Sequence, residues 1–107
     1  MYYMNTASLI TDAKARFSHN SAKAYLKDKF SSKLIVAEQG GLWTASPQLI
    51  SFLQTQTAYT GKDIVIVDNF DNPVLVDGNA LLAKLQETYH LVMFEWYKEW
   101  TELESKR

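Results

Sequence analysis

The residues of this chain with intrinsic chemistry are few and scattered. His19 and His90 are its only histidines, most of the chain separates them, and neither stands in an HExxH or HxH arrangement that would put two imidazoles on one metal. No metal centre is expected. His19 follows a predicted helix end, where a positive charge is welcome, and His90 lies beside the apolar stripe of a later helix, partly solvated. Asp68, Asp71 and Asp77 are close together but lack the alternating ligands and closing glutamate of a calcium loop, so they read as turn and cap residues. Gly40-Gly41 has no following Lys-Ser/Thr and no GxGxxG context, which makes it a hairpin turn rather than a phosphate cradle. No serine sits in a GxSxG elbow or beside a histidine on a matching element, and without cysteine there is no thiolate nucleophile. Glu95 and Glu99 stand one helical turn apart on a face expected to be solvated, where desolvation does not readily raise either pKa. The pattern points away from an enzyme, and no cofactor is expected.

Charge offers a second kind of chemistry. Residues 1–36 hold six Lys/Arg against two Asp, whereas residues 37–107 hold five Lys/Arg against ten Asp/Glu, so a net charge of −1 conceals halves of +4 and −5. Such a skew fits a nucleic-acid-facing patch, or opposite surfaces that meet each other within the fold or across an oligomer. The first reading would use Lys14, Arg16, Lys23, Lys27, Lys29 and Lys33, with Tyr25 and His19 as stacking groups, and Lys23, Tyr25 and Lys27 as its centre.

These residues need a scaffold, and 107 residues with 47% apolar content suffice for one domain with its own core. The absence of cysteine removes any disulfide framework. The longest apolar runs, such as Ile64–Val67, have four residues against the roughly 20 a membrane helix requires. Met1–Thr6 lacks a basic or apolar leader pattern, so a cytoplasmic protein is expected.

Leu9, Ile10, Ala13 and Phe17 follow a helical stripe with Asn5 or Thr6 as cap, Ser18-His19-Asn20 is expected to interrupt it, and Ser21 would cap a second short helix through Phe30. Lys33–Glu38 reads as a strand that reverses at Gln39-Gly40-Gly41 into Leu42–Ala45. Ser46-Pro47 opens a short helix by cap and first-turn proline, although Leu49–Leu53 also suits a buried strand. Gln54–Lys62 reads as a polar connector. Asp63–Val67, apolar on both faces, suits a central strand covered on two sides, and Asp68–Pro73 turns it into Val74–Val76.

The clearest signal is a helix from about Gly78 to Glu104, capped by Asp77, with Leu82, Leu85, Tyr89, Val92, Trp96, Trp100 and Leu103 three or four apart. At 1.5 Å per residue it is about 40 Å long, more than the roughly 34 Å diameter of a compact chain of this length. Leu81, Met93, Phe94 and Tyr97 widen its apolar surface. A homo-oligomer is therefore expected, with Tyr89, Met93, Trp96 and Trp100 as its interface.

The strings Ala13–Leu26, Gln39–Pro47 and Asp71–Asp77 resemble a family of small uncharacterised proteins of T-even-like marine cyanophages. That resemblance implies a viral origin, hence a host cytoplasm, and no particular activity. A second similarity is to Sm-like small β-barrels, in which a helix precedes five strands, a glycine follows the first strand and a later strand ends in an IRG-type motif. Gly40 and Val76-Asp77-Gly78-Asn79 match in outline, but Asp77 stands where that family has its RNA-contacting arginine, and five strands would require Leu49–Thr55 to be extended. The expected class is α+β: a small antiparallel sheet or partly open Sm-like barrel of four to five strands, N-terminal helices and a long C-terminal helix. The expected role is a non-catalytic phage accessory protein acting as an oligomeric interaction module with a protein partner. An Sm-like RNA-binding protein is the alternative.

Overall fold

The computed structural model describes residues 6–106, with the side chains of residues 6–9 and 12 outside that description. The leader and cap readings on Met1–Asn5, and the place of Leu9 in its stripe, lie outside it. The chain is α+β: α1 (Thr6–Lys33), β1 (Ile35–Glu38), β2 (Gly41–Thr44), α2 (Pro47–Thr60), β3 (Asp63–Val67), β4 (Pro73–Asp77) and α3 (Gly78–Ser105).

The expected break at Ser18-His19-Asn20 does not occur, and α1 is continuous. Serine, histidine and asparagine lower helix propensity by only tenths of a kcal/mol each, and packing readily outweighs that. His19 is half-buried, with Nε2 3.2 Å from Glu104 Oε1 near the end of α3. It is therefore a mid-helix residue and not a cap.

β1 and β2 form one antiparallel hairpin and β3 and β4 another; the two make separate two-stranded sheets, with no closed barrel. The fifth barrel strand is absent because residues 47–60 are helical. Ser46 caps α2 by accepting from Leu49 N at 3.1 Å, and Pro47 opens its first turn. The helix then runs through most of the expected connector to Thr60. Thr55 and Thr60 hydroxyls donate to carbonyls four residues back, and Thr57 to one three back, so this polar stretch satisfies itself without an apolar stripe that would announce a helix.

At the first reversal Gln39 and Gly40 both have positive φ, 50° and 81°, as a two-residue hairpin turn requires. Gln39, a strained occupant of that position, has its side chain bonded in both directions to Asp77: Asp77 N donates to Oε1 at 2.7 Å and Nε2 donates to Asp77 O at 3.1 Å. The turn of the second hairpin is fastened to β2. Asn69 N donates to Leu42 O at 2.8 Å, while the buried Asp68 carboxylate accepts from Leu42 N (3.1 Å), Phe70 N (2.9 Å) and Asn72 N (3.1 Å). β3 is not covered on two sides as expected. Ile64 and Ile66 point into the core, whereas Val65 and Val67 are exposed because no second layer lies over the outer face.

The main core joins Trp43, Ala45, Leu53, Ile64, Ile66, Val76, Leu81 and Leu85; a second core of Leu26, Phe30 and Val92 lies between α1 and α3, and Leu34 touches both. Asp77 caps α3 by accepting from Asn79 N and Ala80 N. Two 28-residue helices leaving one end of so small a body make an elongated molecule, 69 × 25 × 24 Å, with a radius of gyration of 20.6 Å against about 13 Å for a compact chain.

Two predictions follow from this packing. A Cβ at buried Gly78 would overlap Ile64 Cδ1 and crowd Thr57 Cγ2 at 2.8 Å. Gly78→Ala is expected to cost about 1–3 kcal/mol in urea unfolding. Ile64→Val, which removes that Cδ1, should make the double variant markedly less destabilised than the sum of the two; strict additivity would contradict the contact. Asp68 has its pKa lowered from 3.8, first by the Leu42 N–H and then by those of Asn72 and Phe70, against the opposing effect of burial. Its stabilisation is thus fully present above the unfolded value and is lost as pH falls through the lower folded value. Asp68→Asn should lower the melting temperature at pH 7, and the gap from the parent should narrow below pH 3.8.

Candidate interaction surface

α3 buries one side along its length, against the main core in its first half and against α1 in its second, and leaves another side open. The second half faces α1 in an antiparallel seam centred on Phe30, which is wholly buried and stacked on Trp96 with ring centroids 6.1 Å apart and planes 9° from parallel. Lys29 Nζ donates to both Glu99 oxygens at 2.8 and 3.0 Å, and Lys33 Nζ lies 3.5 Å from Glu95 Oε2. Both ammonium groups are also 5.1 Å from the Phe30 ring centroid, within cation–π range. The Glu99 hydrogen bond, with smaller charge effects from Glu99, Tyr25 and Glu95, raises the Lys29 pKa above 10.5 against a lowering by burial. Glu99 thus pairs at the half-buried edge of the seam, and Glu95 pairs beside it while remaining exposed.

The first half of that buried side, through Leu81 and Leu85, closes the main core. The adjoining side is largely open. Along it run Tyr89, His90, Met93, Phe94, Tyr97 and Trp100, with Phe94 62%, Tyr97 63% and Trp100 38% exposed. The His90 ring stands edge-on to Phe94 at 4.7 Å, and Tyr97 stacks on Trp100 at 6.1 Å. Tyr89, His90, Met93, Phe94 and Tyr97 line an open groove of about 270 Å³. Tyr89 and His90 also border a wider groove of about 590 Å³ between α2 and α3, lined by Pro47, Ile50, Ser51 and Gln54 from α2 and by Gln86 and Glu87. Helical geometry explains the stripe, because residues three and four apart share a side and these six fall within one arc of α3.

Of the four interface residues expected from sequence, Tyr89 and Met93 are partly buried in this groove and Trp100 is at its lower end. Trp96 is turned into the seam against Phe30. Phe94 and Tyr97, flagged only as widening the stripe, are its most exposed members. The nucleic-acid trio is not assembled: Lys23 and Lys27 share a side of α1, but Tyr25, two residues from each, projects from the opposite side. Lys29 and Lys33, two of the six cations of that reading, are engaged with Glu99 and Glu95.

Among the described residues no buried side-chain polar atom lacks a partner, and no group of three or more His, Asp or Glu is placed to hold a metal ion. No helix among them is long and apolar enough to cross a membrane. No family model matches the chain, no curated protein matches it in sequence, and no solved structure matches it in fold.

Proposed function

We propose that this protein is a non-catalytic oligomeric interaction module of the host cytoplasm, a phage accessory protein by its resemblance, working through the open side of α3. The observation that carries the reading is the run of Phe94, Tyr97 and Trp100, large rings left open to water beside a groove. Contiguous exposed aromatic patches mark interaction sites, and Tyr and Trp are the residue types that dominate binding energy at such sites. The inward faces of the same helix are filled and hydrogen-bonded, so the stripe is surplus to the fold of the single chain.

The test uses Phe94→Glu/Tyr97→Glu in the intact chain. Exposed substitutions usually change stability by within about 0.5 kcal/mol each, so the melting temperature should barely move. Light scattering at micromolar concentration should show the parent as an oligomer and the variant as a monomer. An unaltered oligomer in the variant would remove the stripe from the interface.

A further inference from the structure

We infer that the stripe of α3 is covered by the N-terminal half of α1 from a second copy of this chain, reciprocally, so that two helical hairpins close into a four-helix arrangement at their tips; this rests on reading the stripe as an interface. The first ground is the overhang. α3 ends at Ser105, level with His19, and α1 continues from Ser18 back to Thr6 for about 20 Å beyond it. Most helical stability in proteins comes from tertiary packing of an amphipathic face.

The second ground is a change of face. The seam uses His19, Leu26 and Phe30. Phe17 lies nine residues before Leu26, which at 3.6 residues per turn places it about half a turn round the helix, and Ile10 and Ala13 fall near it. Phe17 is 74% and Ile10 49% exposed. The overhang thus carries its own apolar face, aimed away from its own chain's α3.

Size selects the occupant. The stripe from Tyr89 to Trp100 is about 17 Å long, close to the overhang. Phe17, Phe94, Tyr97 and Trp100 leave roughly 500 Å² of ring surface open per copy, from 150–250 Å² per aromatic side chain. With their neighbours this approaches the roughly 800 Å² per partner of a standard stable interface. Lys14 and Arg16 flank the apolar face of the overhang as a polar rim. Two complementary faces on one chain are both satisfied by a two-fold pair, and paired helical hairpins make a familiar bundle.

The cysteine-free sequence permits a direct test. Phe17→Cys and Phe94→Cys chains, each at an exposed position, are mixed, oxidised mildly and mapped by peptide mass spectrometry. The expected product is a two-chain species joined through positions 17 and 94. Phe17→Glu should also weaken dimerisation at least about tenfold, as truncating a central interface aromatic does. A dominant 94–94 link, with Phe17→Glu harmless, overturns the overhang as occupant while sparing the stripe as interface. A dimer with no link through position 94 and full tolerance of Phe94→Glu overturns both.

Discussion

Phe30, closed off from water between Trp96 and the ammonium groups of Lys29 and Lys33, fixes how α1 lies on α3, and the rest of the molecule's shape follows from that register. With Phe30 opposite Trp96, Lys29 meets Glu99, Lys33 meets Glu95, and His19 reaches Glu104 at the last turn of α3. Whatever precedes His19 must project. The same register commits the side of α3 that carries Leu81, Leu85, Val92 and Trp96 to the core and to α1, and leaves the adjoining side uncovered. The seam and the bare stripe are two consequences of one packing choice.

The two hairpins anchor the other end. Each is too short to be stable alone. They are held by Asp68, which binds the N–H groups of Leu42, Phe70 and Asn72, and by the two-way bond between Gln39 and Asp77. Asp77 also caps α3, so the helix start, the open end of the second hairpin and the turn of the first are tied at one residue. This rigid base aims the helical hairpin outward, and its grooves are bounded by α2 on one side.

Much of this was legible in the residues. α3 was, because Asp77 and a three-to-four spacing over many turns state one consistent period; so were both hairpins, marked by Gly40 and by the Asp/Asn turn after Val67. The continuity of α1 was not legible, because its apolar positions change sides near Ser18, which a periodic reading takes for a break. The second half of α2 has threonines and glutamines that satisfy themselves on the backbone and so carry no stripe. The uniform Ile-Val run of β3 hides its single buried face. For the surface, Tyr89, Met93 and Trp100 stood out, but the true inward axis of α3 runs through Leu81, Leu85 and Val92, which turns Trp96 in and Phe94 and Tyr97 out. The charge skew resolves partly within the chain, as the pairs of α1 lysines with α3 glutamates.

Unbalanced surface of this kind asks for a partner, and the central claim is that the isolated rod is not the state in which the chain is stable in solution. Small-angle X-ray scattering of the unmodified protein across a micromolar concentration series tests this most directly, since forward scattering gives mass and the low-angle slope gives size together. The account predicts a mass near twice the 12.3 kDa of one chain, with a radius of gyration different from the 20.6 Å of the single rod. A mass of one chain throughout, with that radius unchanged, would contradict it.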